Sequence, residues 1–215
     1  MIEMTGKRGE IAREPLLLVG ICGSLRPSSF TRRAVDIALK GAQELGVQTQ
    51  LIDLRDYDLA FCTGNDADYP DGVFRLRNEV QRAQGIILGT PEYHGSFSGV
   101  LKNALDLMGF DQFEGKTLGL IGVSAGPMGA ISALTSLRTI GRALHAWVIP
   151  EQVSIPEVWK HFDGTGEMTD PKLERRLLEL GRQVTRFAYL HSSEQAREFL
   201  EAWEQAPLNP GGKSG

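Results

Sequence analysis

The chain of 215 residues has little that would place it among secreted, membrane-spanning or metal-built proteins. It holds 2 cysteines, Cys22 and Cys62, with no disulfide framework. Two unpaired thiols are the expectation, and with them a cytoplasmic location. No run is long and apolar enough to cross a bilayer, and the opening MIEMTGKRGEIAREP lacks the apolar stretch of a signal peptide. The 4 histidines (His94, His145, His161 and His191) are scattered, with no HExxH and no Cys/His cluster, so no metal site is expected. There is no GxGxxG and no glycine loop ending in GKS or GKT, which disfavours a Rossmann dehydrogenase and a P-loop ATPase. A formal net charge of -4 gives no general pull towards nucleic acid or an anionic membrane.

What is there is alternation. Leu16–Cys22, Val47–Leu54, Gly85–Thr90, Lys116–Val123 and a run beginning at Ala146–Ile149 read as buried strands. Between them lie stretches with helical spacing, at 29–45, about 72–84, 98–109 and 129–144. Ser98 is a candidate N-cap, and Ile131, Leu134 and Leu137 are expected to face inward. Asp170–Pro171 opens a last long helix. This order implies an α/β domain at 15–206, its mostly parallel sheet covered on both faces. Residues 1–14 read as a loose leader and 207–215 as a loose tail. A ligand of such a sheet is expected beyond the carboxyl ends of its strands, near the switch in strand order.

Three loops on that rim carry chemistry. The first is GSLRPSSFTRR at 23–33. Gly23 permits a sharp exit from the strand; Ser24, Ser28, Ser29 and Thr31 offer hydroxyls; Arg26 is suited to fork onto phosphate oxygens. Free N–H groups at the next helix start would complete an anion cradle, while plain capping is the structural alternative. Arg32 and Arg33 add potential there or are solvated. The second loop is GTPEYHGSFSG at 89–99. Pro91 stiffens it and Gly95 allows a bend, so a planar redox ring could lie beside Tyr93 and His94 and receive backbone donors. His94 reads as a hydrogen-bonding or stacking group or as a structural one, and Glu92 as a loop-fixing acceptor. The third loop is VSAGPMGA at 123–130, where Ser124, Gly126 and Gly129 offer a ring edge or only a strand-to-helix turn. Lys102, on the helix after the second loop, faces a phosphate, another subunit or solvent. Neither Ser24 nor Ser124 has the GxSxG surroundings of a hydrolase nucleophile.

The segments GSLRPSSFTRR, PEYHGSFSGVLKNALD and GVSAGPMGA resemble the NADPH-dependent FMN reductase family, which includes chromate, quinone and azo-dye reductases. The resemblance covers about residues 15–193. It implies a flavodoxin-like three-layer sandwich with a five-stranded parallel sheet in the order 2-1-3-4-5. It also implies FMN as cofactor and NADPH, with NADH as the alternative, as electron donor. By the same resemblance Ser24, Arg26, Ser29 and Thr31 stand at phosphate-binding positions, with Phe30 inside that cofactor-binding loop and Thr31 where asparagine is common. Pro91, Glu92, Tyr93 and His94 stand beside the isoalloxazine ring, with His94 in place of the usual asparagine. Ser124 and Gly126 stand in the last ring-edge loop. The implied reaction is ping-pong, from nicotinamide through flavin to a small acceptor such as free flavin, a quinone, an azo compound or a metal oxyanion. No side-chain acid or base is required for the first step. A homodimer or homotetramer is implied as well. The rival reading is a flavodoxin-like electron carrier or redox-sensing module reduced by a partner protein.

Overall fold

The computed structural model describes residues 16–193 together with Ala196, Glu198 and Glu201. The expected leader (1–14) and tail (207–215) lie outside the described residues. Six strands form the sheet: β1 (Leu17–Cys22), β2 (Gln48–Asp53), β3 (Gly85–Tyr93), β4 (Ser96–Phe97), β5 (Thr117–Val123) and β6 (Trp147–Ile155). The helices are α1 (Phe30–Gln43), α2 (Asp71–Gln81), α3 (Gly99–Asp106), the single turn α4 (Phe110–Phe113), α5 (Ile131–Ala143) and α6 (Pro171–Ser192).

Five strands pair in parallel in the order β2-β1-β3-β5-β6, and β4 pairs antiparallel with the end of β3. This is the flavodoxin-like order expected, with the hairpin strand β4 as an addition. No described helix is long and apolar enough to cross a membrane.

Both faces of the sheet are covered because its central strands are largely apolar on both sides. All seven residues of β5 are buried. On one face α1 and α6 pack Val35, Ala38, Leu177 and Val184 against Leu18, Ile87 and Ile121. On the other, α2, α3 and α5 pack Leu76, Leu101 and Leu134 against Val19, Ile86 and Leu120. Each face thus draws on alternate strand positions, as the two-residue period of a strand requires. The start signals hold: Ser29 caps α1, Ser98 caps α3 and Asp170 caps α6, with Pro171 in its first turn.

Two expectations fail. Ile131, placed on the inward stripe of α5, is 56% exposed, because the buried stripe runs through Ala130, Ala133, Leu134, Leu137 and Gly141 and Ile131 lies about 100° round the helix from its centre. The third strand does not end at Thr90. It continues through Tyr93, because Glu92 and Tyr93 find partners in Phe97 and Ser96. The two thiols are free, with Cys22 buried and Cys62 exposed.

The chain leaves β1 towards β2 on one side and returns to place β3 on the other. The strand order therefore reverses at the carboxyl ends of β1 and β3, and the crevice of such sheets opens there.

Candidate functional site

The first wall of that crevice is the β1–α1 turn. Gly23 donates its N–H to the Gly89 carbonyl at 2.8 Å, carrying the β1–β3 ladder one residue past the strand. A Cβ on Gly23 would lie 2.7 Å from Leu101 Cβ and 3.0 Å from the Gly89 oxygen, so only glycine fits. Ser29 Oγ accepts the Arg32 N–H at 3.2 Å, and Ser24 Oγ accepts the Arg26 N–H at 3.4 Å. Among the described residues no acceptor meets the N–H groups of Ser24, Ser28, Phe30 or Thr31. Those unpaired donors stand at the positive end of a 14-residue helix, an arrangement whose chemistry suits an anion.

The structure sorts the side chains of this loop. Ser24 and Ser29 are each 5% exposed, and Thr31 is 2% exposed with its methyl group towards Gly89. Phe30 stacks on Phe162, with ring centroids 5.1 Å apart. Arg32 Nε lies 3.3 Å from the Asp53 carboxylate, which also holds Arg55 Nε at 3.0 Å. The hydrogen bonds from Arg55, more than the nearby charges, keep the Asp53 carboxyl below the usual carboxylate range. Arg33 donates to the Thr165 carbonyl at 3.1 Å. Of the three loop arginines, Arg26 alone has no carboxylate or carbonyl partner among the described residues. Its guanidinium sits 5.6 Å from the centre of the Tyr93 ring. Beneath the turn, burial pushes the Cys22 thiol up, so it stays protonated at neutral pH.

The second wall is a hairpin. His94 (φ 51°) and Gly95 (φ 77°) both adopt the left-handed conformation between paired Tyr93 and Ser96. Two such residues joining two antiparallel strands make a type I′ turn, for which Asn-Gly is the favoured pair. The asparagine for which His94 stands in is thus accounted for by backbone shape. Pro91 is buried and pairs with Val123, so it belongs to the strand and not to a loop. Glu92 Oε2 accepts the Ala133 N–H at 3.0 Å. That bond caps α5, whose N-cap residue Ala130 has no side-chain hydrogen bond, and ties the hairpin to the helix after the third loop. Lys102 pairs with Asp106 on its own helix at 2.7 Å.

The third wall is the β5–α5 turn. Ser124 Oγ accepts the Gly126 N–H at 3.0 Å. The segment after β6 holds this turn from outside: Val158 N–H donates to the Ser124 carbonyl and Glu157 N–H to the Gly126 carbonyl, at 3.0 and 3.1 Å. Ser154 Oγ accepts the Ala130 N–H at 2.9 Å.

The fold thus brings the residues expected from the sequence to one rim in three adjoining turns. Residues 154–158 join them with no sequence motif to announce it. So does Ser98, whose hydroxyl donates to the Gly23 carbonyl at 2.6 Å while its N–H donates to Thr90 Oγ at 3.0 Å. Among the described residues no group of three His, Cys, Asp or Glu gathers as metal ligands would.

A flavodoxin-like sheet with unpaired N–H donors at its switch point and a hairpin bearing Tyr93 beside them has the architecture of mononucleotide-binding proteins. Within that class, residues 16–160 match the model of the NADPH-dependent FMN reductase family, and the chain belongs to it. It is 31% identical over 181 residues to the NADPH-dependent FMN reductase ArsH of Shigella flexneri, spanning 82% of this chain and 70% of the relative. It is 30% identical over 174 residues to the FMN-dependent NADPH-azoreductase of Staphylococcus aureus strain USA300, spanning 78% of this chain and 92% of the relative. Among solved structures it resembles the flavoenzyme NAD(P)H:(acceptor) oxidoreductase FerB from Paracoccus denitrificans. That match has a TM-score of 0.61 and 25% identity, over 83% of this chain and 99% of the other. The protein is an FMN-dependent oxidoreductase that uses NAD(P)H.

Proposed function

We propose that the three turns hold FMN across the crevice between β1 and β3, and that the protein passes electrons from NADPH, in preference to NADH, to a small planar or oxyanionic acceptor. The observation that carries this reading is the set of unpaired N–H groups at Ser24, Ser28, Phe30 and Thr31, with Arg26 free to join them. A phosphate monoester needs several donors at once and a cation, and this cradle supplies both.

In this reading the backbone from Ser24 to Thr31, with Arg26, binds the phosphate. Ser24, Ser29 and Thr31 shape that turn, and Phe30 braces it on Phe162. Pro91 to His94 lie along the ring, with Tyr93 as the aromatic face and Glu92 fixing the hairpin to α5. Ser124 and Gly126 border the far edge. When bound, FMN supplies the two-electron chemistry, accepting hydride from nicotinamide and releasing electrons to an acceptor in a second half-reaction. The chain's residues orient both partners and aim backbone dipoles at the ring; no side chain serves as catalytic acid or base.

Acceptors in this proposal are free flavin, quinones, azo compounds and metal oxyanions. Exposed Leu25, Tyr93, Met128 and Ile131 give the rim an apolar border suited to flat molecules and to a second subunit, in a homodimer or homotetramer. The exposed Cys62 thiol suits a reducing compartment, so a cytoplasmic site is part of the reading.

The test is anaerobic mixing of the FMN-loaded protein with NADPH, then NADH, following the flavin absorbance. Bleaching that is faster with NADPH is the expected result. Bound FMN that neither donor bleaches would favour an electron carrier reduced by a protein partner.

A further inference from the structure

Ser98 does more than start a helix. An N-cap needs only the acceptor side of a hydroxyl, and Ser98 Oγ spends that on the Leu101 N–H at 3.2 Å. Its one proton remains, and it goes to the Gly23 carbonyl, 75 residues away in sequence, at 2.6 Å. The Ser98 N–H is committed in turn to Thr90 Oγ at 3.0 Å. With Ser98 2% and Thr90 0% exposed, water cannot readily stand in for either bond.

The peptide that Ser98 grips joins Gly23 to Ser24. A trans peptide is planar, with its C=O and N–H on opposite sides. Turning the Gly23 oxygen inward to Ser98 therefore turns the Ser24 N–H the other way, and that N–H has no acceptor among the described residues. Gly23 has no side chain to hold the peptide in this orientation, and glycine tolerates the alternatives.

We propose that Ser98 is a positioning residue for the flavin phosphate: its hydroxyl fixes the Gly23–Ser24 peptide so that the Ser24 N–H faces the phosphate. This rests on the FMN reading of the crevice. Without the hydroxyl the peptide rotates, one donor leaves the cradle, and the loss falls on the phosphate while the ring keeps its contacts.

The experiment titrates apoprotein with FMN and with riboflavin, which lacks the phosphate, and follows flavin fluorescence. It compares the wild type with Ser98→Ala, Ser98→Gly and Ser98→Thr. Glycine is a tolerable N-cap, so Ser98→Gly keeps the start of α3 while losing the donated proton. FMN affinity is expected to fall about tenfold in the Ala and Gly variants, riboflavin affinity by less than about threefold, and Ser98→Thr to keep the wild-type ratio. A wild type that prefers FMN, with Ala and Gly variants that keep its FMN-to-riboflavin ratio, overturns the role of Ser98 and leaves the cradle standing. A wild type that binds both flavins equally overturns the cradle itself, and the inference with it.

Discussion

In the β1–α1 turn, Ser24, Ser29 and Thr31 are 5%, 5% and 2% exposed, and Gly23 is wedged against β3 and α3. In the β3–β4 hairpin, Tyr93 is 41% exposed and a Cβ on Gly95 would meet nothing within 4 Å. One wall of the site is built into the core and the other projects from it. In the proposed function the difference follows from what each wall would face. A phosphate is recognised by donors held at fixed positions, and burial with reciprocal hydrogen bonds fixes them. In that reading a redox ring that meets two partners in succession needs an open face, and the tip of the hairpin is open while its base is tied to α5 by Glu92 and its second strand packs Phe97 on the core. Cofactor affinity should therefore reside mostly in the first wall and partner choice mostly in the second.

The sharpest way to break this comparison is Gly23→Ala. The new methyl group meets Leu101 Cβ and the Gly89 carbonyl, and a backbone oxygen cannot step aside. Stability in urea should fall by about 1–3 kcal/mol. FMN affinity should fall further than for any single hairpin substitution; a variant with wild-type affinity would show that the turn is not pinned. Arg26→Ala comes next. FMN should bind about tenfold more weakly by fluorescence titration, from loss of a charge-assisted contact, with the melting temperature within a degree or two of wild type.

Glu92 probes the link between the walls. Glu92→Ala removes the cap of α5 and should cost about 0.5–2 kcal/mol in urea unfolding, while Glu92→Gln retains an acceptor oxygen and should recover most of it. Equal losses would mean that charge, not the hydrogen bond, holds the hairpin. His94 should matter less. His94→Asn suits the left-handed turn position and should leave stability level or raised by up to about 1 kcal/mol, with FMN affinity unchanged. His94→Ala should still permit flavin reduction by saturating NADPH; retained flavin with abolished reduction would give His94 a catalytic role.

Lys116 offers a control at the far end of the sheet. Its ammonium donates to the Val80 and Gln81 carbonyls at the end of α2, and burial pulls its pKa from 10.5 down to about 8. The folded pKa lies below the unfolded one, so between about pH 8 and 10.5 the unfolded chain binds more protons. Stability should rise with pH across that window by up to about 1.4 kcal/mol per unit relative to Lys116→Met. FMN affinity at pH 7 should be the same in both proteins. A change in it would show that the two ends of the sheet are coupled.

Much of the architecture was legible because it rests on local signals. Apolar runs such as LLVGIC suit strands buried on both faces, and Asp170–Pro171 suits the start of a helix with its donors capped. The placement of the rim loops was legible for the same reason: GSLRPSSFTRR and PEYHGSFSG carry their hydroxyls, their arginine and their glycines within a few residues. The hairpin was read as a loop because Pro91 and Gly95 signal interruption, whereas the pairing of Glu92 with Phe97 is made only once β3 has a neighbour. Ile131 was misplaced because two small residues, Ala133 and Gly141, belong to the buried stripe of α5 and shift its centre away from the largest apolar side chains.

By itself the sequence determined the succession of strands and helices, the caps and the composition of the three rim loops, all set by contacts within one element or one turn. Tertiary structure alone decided which polar side chain serves which distant backbone group. Ser98 meets Gly23, Glu92 meets the start of α5, and Ser154 meets Ala130 across 75, 41 and 24 residues. No local pattern encodes such partners, because a buried polar group pairs with whichever donor or acceptor the packed core brings within reach.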